Sequence, residues 1–255
     1  MSATCRNVLL DELKSRIARI ERRASGRCRK VIPFGIADID KALPAGGLAL
    51  GALHEMAGDG AEVEHGAAAS LFIAGLFARL RGPVLWAVQR PDLFAPALAS
   101  TGLHPDRVIY VEAGKAVLPA MEEALRQPGL AGVVGEVEGR FGLTASRRLQ
   151  LAAEQSGAIA FALRRGRAFQ NPALSEPSAS VTRWRIASLP SPPPIPYAPE
   201  TPGLARARWR LDLLRCRGGE PASWIVEACD AKGRLALSPE LANRPAAPHH
   251  AGLVA

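Results

Sequence analysis

Large aromatic side chains are scarce in this sequence. Phe, Trp and Tyr together make up 5% of its 255 residues, whereas hydrophobic residues make up 48%. The core must therefore be built mainly from Ala, Val, Leu and Ile, and the apolar content excludes the disordered class. Lysine is also rare, with 5 residues against 27 arginines. The length is sufficient for one large domain or two small ones.

Patterns typical of metal sites, secretion and membrane insertion are missing as well. Cys5, Cys28, Cys216 and Cys229 show no C-x-x-C spacing, and the five histidines are scattered, so we expect no metal site. Unpaired cysteines in a chain of this size fit a reducing cytoplasm. No run reaches 18 apolar residues and charges interrupt the first twenty, so neither a membrane span nor a signal peptide is expected. The predicted location is the cytoplasm.

Charge is distributed unevenly along the chain. Residues 1–30 carry nine Lys/Arg and three Asp/Glu, residues 31–139 carry seven and thirteen, and residues 140–255 carry sixteen and eight. The three segments therefore have net charges of +6, −6 and +8. Basic ends on either side of an acidic centre favour partner surfaces, including nucleic acid. Ordinary solvated charge in an arginine-biased chain is the alternative interpretation.

The first half of the chain alternates between helical and strand patterns. An amphipathic helix is predicted over 8–23, followed by a basic linker over 24–30. From 31 to about 163, short apolar runs alternate with amphipathic ones, which predicts an α/β fold with a mostly parallel sheet and helices on both faces. The predicted strands cover 84–88, 108–112, 130–137 and 158–163, and the predicted helices cover 67–80, 92–100, 117–126 and 143–155.

The second half changes to antiparallel strand patterns. Residues 189–203 are too rich in proline for helix or sheet and form a predicted loop. Alternating runs at 181–187, 208–214 and 224–228 predict strands that extend the sheet at one edge, with a hairpin turn at 217–220. This organisation gives a core over 31–188, C-terminal strands over 204–244 and a disordered tail over 245–255.

One run of small and apolar residues points to a known fold. Gly35, Ile39-Asp40, Leu43, Gly46-Gly47-Leu48 and Gly51 stand at the spacing G-x-x-x-L/I-D-x-x-L-x-x-G-G-L-x-x-G. This run resembles the entry to a RecA-type core, in which a strand then leads to the phosphate loop. The resemblance implies a RecA-like core, a strand at 52–56 and a loop that starts at 57–58.

The loop itself departs from the chemistry of a phosphate loop. Such a loop surrounds phosphates with backbone N–H groups and supplies a lysine for the phosphates and a Ser/Thr for Mg²⁺. The degenerate loop here, at Gly58, Asp59 and Gly60, is followed by no lysine, and the following helix is predicted to begin with Gly66 and alanines. Asp59, Glu62 and Glu64 would repel a triphosphate at short range.

Two further positions of the RecA pattern are altered. RecA-like enzymes carry a glutamate after the strand at 84–88 and an aspartate after the strand at 130–134, whereas this chain has Gln89-Arg90 and Gly135-Glu136. We therefore predict no catalytic residues, no nucleotide cofactor and no enzymatic activity. A RecA-like ATPase with an unorthodox site, in which Glu136 serves, is the alternative.

The order of motifs over residues 8–244 is similar to that of a narrower group, the ImuA family of RecA-related accessory proteins in bacterial mutagenic repair cassettes. The resemblance implies a non-catalytic accessory role in SOS-induced, error-prone translesion DNA synthesis and DNA repair. It implies as partners an inactive Y-family polymerase homologue (ImuB-like) and an error-prone replicative polymerase paralogue, with RecA and DNA as further candidates and nucleoid association when engaged. A SulA-type cell-division inhibitor is another alternative. The motifs are the Gly-Gly-Leu entry, the degenerate loop, and the runs 144–153, 158–164, 182–186, 209–219 and 224–227.

Arginines near the strand ends are the candidate nucleic-acid or partner contacts, since guanidinium groups bind phosphates. The alternative for each is ordinary solvation. Trp184 and Trp209 lie in alternating Arg-Trp-Arg runs, which favours Trp in the core and Arg in water over base stacking. On the helix at 143–155, Arg147-Arg148 is predicted to be solvated, with Leu143, Leu149 and Leu151 facing inward. The candidate arginines are Arg164, Arg165, Arg167, Arg183, Arg215 and Arg217.

Overall fold

A computed structural model describes residues 30–166, 176–195, 198 and 200–237. The predicted N-terminal helix over 8–23, the linker up to residue 29, Arg167 and the tail over 245–255 lie outside these residues. Within the described residues, no helix is both long and apolar enough to cross a bilayer.

Eight strands lie close to the bounds that the sequence predicts, whereas three strands of two residues each were not predicted. A small ribbon pairs β1 (Val31–Ile32) with β2 (Leu48–Ala49). The strands of the main sheet are β3 (Leu53–Gly58), β4 (Val84–Val88), β5 (Val108–Glu112), β6 (Gly132–Glu138), β7 (Ile159–Arg165), β8 (Thr182–Leu189), β9 (Arg208–Cys216), β10 (Ala222–Glu227) and β11 (Ala236–Leu237).

In the described residues these nine strands form one sheet in the order β11-β10-β9-β8-β3-β7-β6-β4-β5. The pairs from β8 to β5 are all parallel, whereas β8–β9, β9–β10 and β10–β11 are antiparallel. The predicted antiparallel extension at one edge is therefore confirmed. The hairpin turn at 217–220 is confirmed too, with Gly218 at φ 81° between β9 and β10.

The sheet separates two hydrophobic layers, because alternate residues of a strand point to opposite faces. The helices are α1 (Ala37–Ala42), α2 (Glu62–Ala78), α3 (Ala95–Ala99), α4 (Val117–Arg126) and α5 (Leu143–Ser156). Phe77 of α2 packs against Phe161 of β7 in one layer, while apolar residues of α4 and α5 lie with Ala160 and Ala162 in the other. Helices therefore cover both faces of the parallel part.

The entry run has a structural role. The Asp40 carboxylate accepts hydrogen bonds from the backbone N–H groups of Phe34 at 2.6 Å and Gly35 at 3.0 Å, which fixes the turn before α1. A Cβ atom on Gly47 would lie 2.6 Å from the Ile32 carbonyl oxygen, so glycine is required where the β1–β2 ribbon closes. These contacts explain the spacing of the motif without a ligand.

Both tryptophans of the alternating runs lie in the core. Trp184 and Trp209 are buried, and each packs against Phe72.

The interpretation of α5 was wrong in part, because only Leu149 is buried, whereas Leu143 and Leu151 are about half exposed. The inward face of α5 is instead built from small residues beside Leu149, since Ala152 and Ala153 lie closest to the sheet.

Candidate functional site

The connection at the phosphate-loop position is short. β3 ends at Gly58 and α2 begins at Glu62, so three residues join them. The prediction that the helix begins near Gly66 was wrong, because the acidic residues of the expected loop form the first turn of α2. A Cβ atom on Gly58 would lie 3.0 Å from the backbone carbon of His65, so this turn packs tightly on the end of the strand.

Asp59 is bonded to the C-terminal part of the sheet. Its backbone N–H donates to the Ile186 carbonyl oxygen at 2.9 Å. Its carboxylate forms an ion pair with Arg185 of β8 at 3.3 Å and a second with Arg210 of β9. Both guanidinium groups also contact Asp212, so the loop belongs to a four-residue network of alternating charge. In a phosphate loop, backbone N–H groups bind the phosphates. The Asp59 N–H is instead bonded to the backbone of β8.

Arg165 lies at the centre of a second network on the α2 side of the sheet. Its guanidinium contacts three carboxylates, those of Glu62 on α2, Glu136 on β6 at 3.3 Å and Asp92 after β4 at 2.9 Å. The Arg165 side chain is only 11% exposed. Residues from the loop and from two altered strand ends of the RecA pattern therefore converge on one cation of the same chain.

Glu136 is the most buried carboxylate of this network. It is 2% exposed, and it accepts a hydrogen bond from the indole N–H of Trp86 at 3.0 Å. Burial raises the pKa of Glu136, and the nearby Arg165 guanidinium opposes that shift. The carboxylate is thus held by two partners and points to the phosphate-loop position.

Little space remains beside these groups. A cleft of about 260 Å³, part of it open solvent, lies between the loop, the start of α2 and residues 163–166. Because that volume includes open solvent, the enclosed space is well below the roughly 300–1,000 Å³ of small-molecule sites. In the part of the chain that the structure describes, no group of three or more His, Cys, Asp or Glu side chains is arranged to hold a metal ion.

A buried cluster lies on the opposite face of the sheet. Glu55 of β3 and Arg183 of β8 stand opposite each other in register and form an ion pair at 3.2 Å, both nearly inaccessible to solvent. The same Glu55 carboxylate accepts hydrogen bonds from the hydroxyl groups of Ser178 and Ser180. This cluster fixes residues 178–180 against the strand that leads to the loop.

The six candidate arginines do not form one surface. Arg164 is buried on the Glu55 face, where its guanidinium donates to the Gly139 carbonyl oxygen at 2.5 Å and lies over the Phe141 ring. Burial lowers the pKa of Arg164, and Glu55 and Glu176 oppose that shift. Arg165 points to the other face, as alternation along β7 requires.

Arg215 and Arg217 hold the backbone of the segment before β8. Arg215 donates to the carbonyl oxygens of Ser178, at 3.0 Å, and Ser180, while Arg217, which is exposed, donates to Ala179 at 3.1 Å. Arg167 lies outside the described residues. The nucleic-acid or partner role of all six arginines stays a prediction.

Sequence reasoning missed several members of the two networks. Arg185 and Arg210 could have been found from the Arg-Trp-Arg alternation, which places them on the face opposite the buried tryptophans. Asp92 and the indole of Trp86 gave no comparable signal. Their contacts join residues that are 73 and 50 positions apart in the sequence.

Comparison with solved structures shows the fold class. The crystal structure of the RadB recombinase aligns with a TM-score of 0.53 at 15% identity, over 78% of this chain and 96% of RadB. The predicted RecA-like fold with a mostly parallel sheet is confirmed. No model of a protein family matches the chain.

Comparison with curated sequences identifies a closer group. Protein ImuA from each of two strains of Caulobacter vibrioides is 45% identical to this chain over 211 residues, which cover 79% of this chain and 84% of each relative. Identity at this level over most of both proteins is sufficient to assign a family. The chain belongs to the ImuA family.

Proposed function

We propose that this protein is a non-catalytic, RecA-like accessory protein of SOS-induced, error-prone translesion synthesis. It would act as a scaffold for an inactive Y-family polymerase homologue and an error-prone replicative polymerase paralogue in the cytoplasm. Support for the cassette comes from membership of the ImuA family. Support for the non-catalytic role comes from the site.

The observation that carries the non-catalytic role is the position of Arg165. Its guanidinium lies among Glu62, Glu136 and Asp92, where a RecA-like ATPase would hold the phosphates and Mg²⁺. The carboxylates that could bind a metal already have a cation of the chain itself. A phosphate group could bind Arg165 only by displacing carboxylates that already hold this guanidinium.

Three experiments test the two parts of the proposal, the first two of them with the purified full-length protein. We expect that saturating Mg-ATP is not hydrolysed and does not shift the midpoint of thermal unfolding. If ATP did bind, a concentration 100 times its Kd would add about 2.7 kcal/mol to the free energy of unfolding. In parallel, calorimetric titration with the purified Y-family homologue is expected to give a saturable complex. In cells, deletion of the gene is expected to abolish damage-induced mutation.

The outcomes separate the alternatives. Mg²⁺-dependent ATP turnover that is lost in Glu136→Ala would overturn the non-catalytic role and support an ATPase with an unorthodox site. Unchanged damage-induced mutation after deletion, together with no binding to either polymerase, would overturn the accessory role. Direct binding to the tubulin-like division protein, with filamentous cells on overexpression, would support a division inhibitor instead.

A further inference from the structure

Two apolar side chains are strongly exposed beside the Arg165 network. Val63 is 102% exposed and Phe94 is 70% exposed. Val63 is the second residue of α2, and Phe94 directly precedes α3. An exposed phenylalanine is costly in water and is typical of contact points between proteins.

The Arg165 network links the two segments that carry these side chains. Arg165 contacts Glu62, the neighbour of Val63, and Asp92, two positions before Phe94, so a single guanidinium bridges the two segments. Helices α2 and α3 also pack against each other. The surface formed by Val63, Glu64, Asp92 and Phe94, called here the mouth surface, is therefore presented by the first turn of α2 and the segment that leads into α3.

The charge of this region restricts what can bind there. Among the described residues of this region, carboxylates outnumber guanidinium groups. The carboxylates are those of Glu62, Glu64, Asp92, Glu136 and Glu138, and the guanidinium groups are those of Arg90 and Arg165. The excess is three negative charges. Glu64 keeps two thirds of its side chain exposed and Asp92 nearly half. An acidic rim of this kind repels nucleic acid and attracts lysine or arginine.

We propose that the mouth surface binds a segment of a partner protein that presents a large apolar side chain flanked by Lys or Arg. The apolar group packs against Phe94 and Val63, and the cations meet Glu64 and Asp92. This inference rests on the proposed function, because it assigns the partner-binding role to the position that a nucleotide occupies in RecA-like ATPases. The buried Arg165 network orders the surface and does not itself contact the partner.

The test compares two double variants of the full-length protein in titrations with the purified Y-family homologue and with the replicative polymerase paralogue. Glu64→Lys/Phe94→Ser removes the apolar contact and reverses one charge of the mouth surface. Glu123→Lys/Leu204→Ser makes the same changes at exposed positions elsewhere, since Glu123 is 66% and Leu204 81% exposed. We expect at least a tenfold increase in Kd for the mouth variant with either partner, no change for the control, and wild-type affinity that falls as salt is raised.

The outcomes decide the inference as follows. Wild-type affinity in the mouth variant, with an unchanged thermal midpoint, would overturn it. If the wild type binds neither polymerase, the partners named in the proposed function are wrong. The inference about the mouth surface is then tested by the frequency of damage-induced mutation in cells that carry each variant. A lower mutation frequency with the mouth variant but not with the control supports the inference, whereas a wild-type frequency with the mouth variant overturns it. Sedimentation experiments test a further outcome, in which the wild type self-associates and the mouth variant is monomeric. The mouth surface would then bind the basic residues 1–30 of a second copy, and the assignment to another protein would be overturned.

Discussion

At the scale of single residues, Arg165 links three parts of the fold through one buried cation. Its guanidinium balances carboxylates from α2, β6 and the segment after β4. A buried ion pair contributes little net stability compared with apolar packing, because desolvation offsets much of the attraction. Removing one partner is costly, however, since the other charge stays buried. The network therefore matters more for keeping these elements in one arrangement than for total stability.

Replacing Arg165 by methionine tests this view. Arg165→Met keeps most of the side-chain volume but leaves Glu136 buried without a cation. We expect the free energy of unfolding at pH 7.5 to fall by about 3 kcal/mol, as measured by urea denaturation. Arg147→Met, an exposed arginine of α5, is the matched control and should change stability by less than about 0.5 kcal/mol.

The effect of Arg165→Met should depend on pH. Burial already raises the pKa of Glu136 above the ordinary value of 4.5, and the variant lacks the cation that opposes this shift. A carboxyl group whose pKa is raised in the folded state adds stability below the unfolded pKa and loses it as pH rises through the folded pKa. The deficit of Arg165→Met relative to the wild type should therefore be smaller at pH 5 than at pH 8. A deficit that does not vary with pH would contradict this account.

At the scale of helices and strands, local patterns predicted most of the architecture. The bounds of β4, β5 and α4 agree with the predicted ones. β4 buries an apolar run and α4 buries one apolar stripe, whereas β5 is an edge strand with no fully buried residue. The start of α2 was not predictable in this way. Residues 62–66 have no apolar period, and His65 among them packs against Gly58 at the end of β3.

Close contact between β6 and α4 depends on one glycine. A Cβ atom on Gly135 would lie 2.1 Å from the Met121 sulfur and 2.9 Å from a methyl group of Val117. We expect Gly135→Ala to destabilise the protein by about 1–3 kcal/mol, because α4 must move away from the sheet. Gly142→Ala is the control, since no atom lies within 4 Å of a Cβ there and its φ of −75° suits any residue.

A double-mutant cycle with Met121→Ala identifies the cause. If the clash with Met121 is responsible, the double variant Met121→Ala/Gly135→Ala loses less stability than the sum of the two single variants. Additive losses in chemical denaturation would indicate that the strand itself, and not its contact with α4, requires glycine.

At the scale of the whole molecule, two thiols report on the integrity of the sheet extension. Burial raises the pKa of Cys216, at the end of β9, to about 11 and that of Cys229, after β10, to about 12. In a Cys5→Ser/Cys28→Ser background, we expect both thiols to react with Ellman's reagent at pH 8 only at the rate of unfolding, because the thiolate is the reactive form. Rapid reaction of one thiol in the native protein would show that the C-terminal strands open separately from the core.

The whole chain also shows where sequence reasoning reaches its limit. The RecA-like fold and the lost ATP residues could be predicted, because both depend on short runs such as Gly46-Gly47-Leu48 and on single strand ends. The partners of Arg165 and Asp59 could not, because they come from segments up to 151 positions away that only the sheet order brings together. The sequence placed Arg165 among exposed candidates, whereas the fold uses it internally.

The position of β3 has a consequence for the synthesis of the protein. β3 is completed by residue 58, but its two neighbours in the sheet are β7 and β8, which end at residues 165 and 189. A nascent chain leaving the ribosome therefore carries an apolar strand with two unpaired edges while more than a hundred further residues are added. Unpaired edges of this kind promote aggregation, and such non-local pairing is slow. Production of this protein should accordingly depend on chaperones that shield the nascent chain, and truncation before residue 182 should yield insoluble fragments.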